Sequence, residues 1–168
     1  MADDRMRAQP GQYLTFDLQS ETYGIPIATV REINQMQDIT PVPKTQEFVA
    51  GVLNLRGKVV PVIELRLKFS MTAKEYDKET CIIVIDTEAG QVGVIVDAVA
   101  EVVELNIENI EPSPQISGDH DSDFLTGMGK KDDKVMILVD VVKALSKDEL
   151  HKYAQIAESK EAKVEKAA

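Results

Sequence analysis

The chain is written twice, and that repetition constrains its fold more than any single motif. An offset of 69 residues places Leu14, Phe16 and Asp17 on Ile83, Ile85 and Asp86, and Gly24, Ile25 and Ile27 on Gly93, Val94 and Val96. The same offset places Val30, Glu32 and Ile33 on Val99, Glu101 and Val102. An offset of 71 brings Ile39, Pro41 and Pro43 onto Ile110, Pro112 and Pro114. One of 76 brings Phe48, Gly51, Lys58, Val59, Glu64 and Leu65 onto Phe124, Gly127, Lys134, Val135, Asp140 and Val141. The offset only grows, and it grows between matched blocks, as insertions into loops do. Strands resemble one another, but matches kept in order across three blocks, with Gly, Pro and acidic positions among them, indicate duplication.

The repeated blocks have strand length and composition. Tyr13-Leu-Thr-Phe-Asp-Leu18 alternates, and Lys58-Val-Val-Pro-Val-Ile-Glu-Leu65, Thr80-Cys-Ile-Ile-Val-Ile-Asp86, Gln91-Val-Gly-Val-Ile-Val96 and Lys134-Val-Met-Ile-Leu-Val-Asp140 are short β-branched runs. Pro61 inside one run has no N–H to donate, which suggests an edge or a bulge there. Two similar small β units are expected, over residues 12–70 and 79–145, joined near 71–79. Units that small bury only about 60% of their surface alone, so they are expected to pack together. The repeat pattern leaves open whether strands are exchanged between them. A helical turn around 28–35 would set Val30 and Ile33 side by side. Ser146-Lys-Asp-Glu149 reads as a capping box opening a terminal helix over 146–160, with Leu150, Tyr153, Ala154 and Ala157 on one face. Residues 161–168, mostly Lys, Glu and Ala, read as a disordered tail.

Charge narrows the partners. With 19 basic and 29 acidic residues in 168, the net charge is −10. Nucleic-acid backbones and anionic membrane surfaces repel such a chain, so neither is expected as a partner. The single cysteine, Cys81, allows no internal disulfide, and its apolar strand suggests a buried, inert thiol. The N-terminus has no apolar core of a signal peptide, and the most apolar stretch, 92–103, is interrupted by Asp97 and Glu101. The expectation is a soluble cytoplasmic protein without membrane insertion.

Catalytic and metal signatures are missing from the sequence. Neither His120, in the acidic run Gly118-Asp-His-Asp-Ser-Asp123, nor His151 has a second His or Cys at zinc-ligand spacing. The acidic run lacks the spacing and closing Glu of a calcium loop. Gly127-Met-Gly129 is followed by Lys-Lys-Asp-Asp and carries neither a Walker nor a dinucleotide pattern. No cofactor, metal or catalytic residue is expected.

Where two copies share a fold, a segment special to one copy is the better functional candidate. Gly51-Val-Leu-Asn-Leu-Arg-Gly57 answers to Gly127-Met-Gly-Lys-Lys-Asp-Asp133 in the second copy. Asn54-Leu55-Arg56-Gly57 sets a planar guanidinium beside a glycine able to turn the chain sharply. Arg56 either pins a turn by pairing with Glu32 or Glu64, or stands on the rim of a protein-binding face, and both roles are compatible.

Tyr23-Gly-Ile, Val30-Arg-Glu-Ile33, Gly51-Val-Leu-Asn-Leu-Arg-Gly57, Val60-Pro-Val-Ile-Glu-Leu-Arg66, Gly93-Val-Ile-Val-Asp97 and Phe124-Leu-Thr-Gly-Met-Gly129 together resemble the CheW family of chemotaxis adaptors, in family order over about 12–145. That resemblance implies a mainly β fold: two pseudo-repeated SH3-like five-stranded β barrels packed together as a single CheW-like domain, with a C-terminal α-helix. It implies a non-enzymatic adaptor, monomeric in isolation, that couples the cytoplasmic hairpin tip of chemoreceptors to the regulatory domain of the chemotaxis histidine kinase CheA. Receptor helices would pack in a groove, an instance of helix-in-groove recognition. By match to the pattern, Val30, Glu32, Ile33, Asn54, Leu55, Arg56, Gly57, Val99 and Val102 fall on the receptor face. Kinase contacts fall on Ile39, Pro41, Glu111, Pro112 and Ile116, where acidic Glu111 departs from relatives with a basic residue. The competing expectation is a stand-alone kinase-regulatory-type SH3-like module with a different receptor or partner.

Overall fold

A computed structural model of the chain describes residues 8–43, 45–112, 124–145 and residue 155. The expected terminal helix over 146–160 with its capping box and the 161–168 tail fall outside the described residues, residue 155 apart. So do His120, His151 and Ile116.

Eleven strands are present among the described residues. They are β1 (Gly11–Leu18), β2 (Glu21–Pro26), β3 (Val30–Gln35), β4 (Val49–Leu55), β5 (Lys58–Glu64), β6 (Cys81–Thr87), β7 (Gly90–Val96), β8 (Ala98–Leu105), β9 (Ile110–Glu111), β10 (Leu125–Lys131) and β11 (Lys134–Val139). Two single-turn helices, α1 (Leu65–Lys68) and α2 (Val141–Ala144), each follow the last long strand of a copy. No helix among the described residues is long and apolar enough to cross a membrane.

The strands form two sheets, ordered β8-β1-β2-β11-β10-β9 and β3-β6-β7-β5-β4. By the sequence offsets, β1, β2, β3, β4 and β5 are equivalent to β6, β7, β8, β10 and β11. Translating the second sheet through that equivalence gives β8-β1-β2-β11-β10, the order of the first up to its last strand, β9. Register agrees as well as order. Val30 and Ile33 pair with Ile85 and Ile83, and their equivalents Val99 and Val102 pair with Phe16 and Leu14. Val62 pairs with Gly93 in parallel, as Leu138 pairs with Gly24.

Each sheet therefore takes its leading hairpin from one copy and its remaining strands from the other, four in the first sheet and three in the second. Unit 1 comprises Met1–Thr29 and Ala98–Ala144; unit 2 comprises Val30–Asp97 and Leu145–Ala168. The contiguous division into 12–70 and 79–145 gives way to this reciprocal exchange. The reason is that β1–β2 and β6–β7 find their edge partners across the repeat boundary.

Closure removes the sheet edges. In unit 2 the chain beyond β3 returns so that Thr40 and Val52 exchange both backbone bonds at 2.9 Å, joining the two ends of the sheet. In unit 1 the equivalent residues are Glu111 and Met128, where β9 pairs with β10. Leu53, Leu55, Val60, Val62, Ile82, Val84 and Ile95 form the inner cluster of unit 2. Tyr13, Leu105, Ile110, Met136 and Leu138 lead that of unit 1. Each such aliphatic side chain, fully buried, is worth about 1.5–3 kcal/mol relative to exposure.

Three expectations change at this level. Residues 28–35 are not a helical turn: a short 3-10 turn, Ile27–Thr29, leads directly into β3. The apolar i, i+3 spacing that suggested a helix comes from a bulge, because Val30 and Glu32 lie opposite adjacent residues Ile85 and Val84. The extra residue, Arg31, returns Val30 and Ile33 to one side of the strand. Of the two alternatives at Pro61 the edge falls, since β5 is flanked on both sides. The register of β4 against β5 does shift beside it, Val49 and Gly51 lying opposite adjacent Ile63 and Val62. Pairing with β7 runs from Val62↔Gly93 onward, so the missing N–H of Pro61 falls outside that ladder. Cys81 is only partly buried at the start of β6, its thiol donating to the Glu79 carbonyl at 3.2 Å.

Candidate functional site

The segment special to the first copy folds into the tip of the β4–β5 hairpin. Leu55 pairs with Lys58, leaving Arg56 and Gly57 as a two-residue loop. Their φ values, 52° and 86°, are both positive, as the type I′ turn that matches strand twist requires. Glycine adopts that conformation without strain, and the Cβ of Arg56 must be held there. Two contacts supply the hold. The Asn54 Oδ1 accepts a bond from the Gly57 N–H at 2.9 Å. Across the unit, the Arg56 Nη2 donates to the Glu32 Oε1 at 2.7 Å.

That pair joins the hairpin tip to β3. The Arg56 side chain is 73% exposed and Glu32 24% exposed. The guanidinium bond holds the Glu32 carboxyl below its ordinary value, and Glu32 in turn raises Arg56. Beside Glu32 on β3, Ile33 is 42% exposed and Val30 partly buried. In unit 1, Val99 is partly buried and Val102 is 50% exposed on β8. None of these four aliphatic side chains lies among the inner clusters.

Leu55 differs from its expected role. Its side chain points into the inner cluster of unit 2 and is nearly inaccessible. The hairpin alternates, so Asn54 and Arg56 face outward and Leu55 inward, as the period of a strand dictates. Leu55 anchors the hairpin and does not offer contact surface.

The residues expected on a kinase face occupy the two closing segments. Ile39 packs against the inner cluster of unit 2, and Pro41 is exposed beyond it. In unit 1 Glu111 is exposed and pairs with Lys130 at 3.1 Å, with Pro112 exposed next to it. The acidic side chain thus has its cationic partner within its own unit.

Three polar features escaped the sequence reading. The Arg66 Nε and Nη2 grip both carboxylate oxygens of Asp97 at 2.7 and 2.5 Å, while Nη1 donates to the Thr72 carbonyl at 3.0 Å. The Tyr76 hydroxyl donates to Glu64 at 2.8 Å, and burial, with that bond second, raises the phenol above its ordinary value. Thr15, almost wholly buried, both donates to the Glu101 carbonyl at 2.9 Å and accepts from its N–H at 3.0 Å. The copy comparison carries a signal for two of them: Thr15 answers to Val84, and Arg66 and Asp97 answer to Val142 and Ala28.

What the site offers is surface and fixed charge. Among the described residues no group of three His, Cys, Asp or Glu side chains is placed to hold a metal ion. Such a pair of exchanged β units with a charged, hydrogen-bonded hairpin tip defines a binding module, and comparison with known proteins identifies its family. The family model described as the CheW-like domain matches residues 12–149. Chemotaxis protein CheW of Klebsiella aerogenes is 38% identical over 148 residues, 88% of this chain and 89% of that one. Chemotaxis protein CheW of Helicobacter pylori is 34% identical over 137 residues, 82% of each chain. The crystal structure of the scaffolding protein TtCheW from Thermoanaerobacter tengcongensis superposes with a TM-score of 0.75 at 34% identity, covering 84% of this chain and 96% of that one. The chain belongs to the CheW-like family of chemotaxis scaffold proteins, and with that family it is non-enzymatic.

Proposed function

We propose that this chain is the adaptor that couples the cytoplasmic hairpin tips of chemoreceptors to the chemotaxis histidine kinase CheA, acting in the cytoplasm at membrane-associated receptor arrays. Family membership supplies the class of partners. The observation that carries the assignment of a face is the Arg56–Glu32 pair on a type I′ turn capped by Asn54, a construction the second copy lacks.

A receptor tip is helical, and a helix docks through apolar contact flanked by ordered charge. Val30 and Ile33 on β3 and Val99 and Val102 on β8 would supply the apolar contact, each within its own unit. Glu32, Asn54, Arg56 and Gly57 would set the charged rim. Arg56 suits this role because its guanidinium has five donors and its bond to Glu32 uses only one end of the fork. Pro41, Glu111 and Pro112 would serve the kinase, with Ile39 partly buried in unit 2 and Ile116 outside the described residues.

The test is to mix the purified protein with receptor-containing membranes and CheA and to follow kinase sedimentation. The adaptor reading expects the chain to carry kinase into the pellet. A chain that carries none, beside a functional control adaptor that does, has the fold with other partners.

A further inference from the structure

Arg66 and Asp97 form a side-chain cluster that the hairpin tip does not use, and its place in the chain is unusual. Asp97 lies between β7 and β8, and it is the residue at which the chain leaves unit 2 for unit 1. Arg66 sits in α1, whose first residue, Leu65, is wholly buried. One guanidinium therefore ties three segments: α1 itself, the Asp97 crossover through two bonds, and the segment between the copies through the Thr72 carbonyl.

The pair is well shielded, with the Arg66 and Asp97 side chains 13% and 15% exposed. A two-bond fork of this kind fixes direction as well as distance. Its equivalents, Val142 and Ala28, make no such pair at the other crossover, between β2 and β3. The other unit reaches the same strand order without such a clamp. What lies immediately beyond it is β8, whose second and fifth residues are Val99 and Val102.

We propose that Arg66 is a positioning residue: by gripping Asp97 it fixes the start of β8 and so orders the Val99–Val102 surface for the receptor. The functional half of this inference rests on the adaptor reading above; the ordering of β8 does not. Asp97→Asn keeps the shape of the side chain and removes its charge. Arg66→Lys keeps the charge and loses the fork.

Hydrogen exchange and coupling are measured on the full chain of both variants. Amides of 98–102 are expected to lose protection about tenfold or more in Asp97→Asn, and less in Arg66→Lys, with the β4–β5 and β10–β11 hairpins changed by less than about threefold. Receptor-stimulated kinase activity is expected to fall about tenfold in Asp97→Asn, while direct binding of CheA stays within about twofold of wild type. Unchanged exchange at 98–102, or loss spread evenly over both units, overturns the positioning role. Loosened 98–102 amides with full receptor coupling overturn its link to the receptor. A wild-type chain that never couples refutes the adaptor reading instead, and the exchange pattern alone then decides the clamp.

Discussion

Individual residues show how polar groups are placed to serve the bulges and turns of small barrels. Thr15 lies opposite the bulge in β8, where Leu14 and Phe16 pair with Val102 and Val99 and leave Ala100 and Glu101 facing one residue. Its hydroxyl bonds both the N–H and the carbonyl of Glu101, which the disrupted ladder leaves to it. Replacing Thr15 with Val, the residue found at the equivalent position 84, strands those groups, and chemical denaturation is expected to show a loss of about 1–3 kcal/mol. Glycines separate in a similar way. Gly51 has φ 145°, and a Cβ there would overlap the Thr40 carbonyl that closes unit 2, whereas one at Gly57 meets nothing within 4 Å. Gly57→Ala is expected to cost about 1–2 kcal/mol from its positive φ alone, and Gly51→Ala more, measured by thermal melting. The Glu32 carboxyl titrates below its ordinary 4.5 because Arg56 bonds the charged form. A lowered folded value means that the contribution of the pair is complete above the unfolded value and fades as pH falls through the folded one. In an NMR titration, Arg56→Gln is expected to bring Glu32 back toward 4.5.

At the scale of elements, the hairpin and the bulged strand explain what the sequence made legible and what it hid. The Asn54-Leu-Arg-Gly57 tip could be read, because a positive φ favours glycine and because the second copy has Lys130-Lys-Asp-Asp133 there. Both tips in fact adopt the same turn, with Asp132 and Asp133 at φ 52° and 65°. The difference between the copies is therefore chemical: Arg56 reaches Glu32 at 2.7 Å, while its counterpart Asp132 has no cationic fork to offer Glu101, which Lys134 meets at 3.5 Å. β3 misled for a physical reason, since one extra residue in a strand gives apolar side chains the i, i+3 spacing of a helix. Leu55 misled because a motif names neighbours in sequence, whereas a strand sends alternate neighbours to opposite faces. Asn54→Ala removes the bond to the Gly57 N–H, and is expected to lower stability by about 0.5–1.5 kcal/mol in denaturant titrations.

For the whole molecule, duplication was visible in the offsets but the exchange was not. An offset says which strands are equivalent; it carries no information on which copy a strand pairs with, because both choices bury the same apolar residues. The pairings settle it: β1 with β8, and β3 with β6. One consequence is testable by cutting the chain between the copies, within 71–79. Either fragment alone lacks the partner strands of its hairpin and is expected to give the circular dichroism of an unfolded chain, with β signal returning on mixing. Independent folding of both fragments would contradict the exchange. The net charge of −10 fits a partner other than nucleic acid or an anionic membrane.

The proposed adaptor role turns on the Arg56 hairpin tip facing the receptor. The most direct measurement is receptor-stimulated autophosphorylation of CheA with the wild-type chain and with Arg56→Glu, with direct CheA binding followed in parallel. Reversing that charge sets two carboxylates together at Glu32 while leaving the buried Leu55 anchor in place. Stimulated activity is expected with wild type and its loss with Arg56→Glu, at unchanged CheA binding and unchanged fold. Full stimulation by a folded Arg56→Glu chain would contradict it.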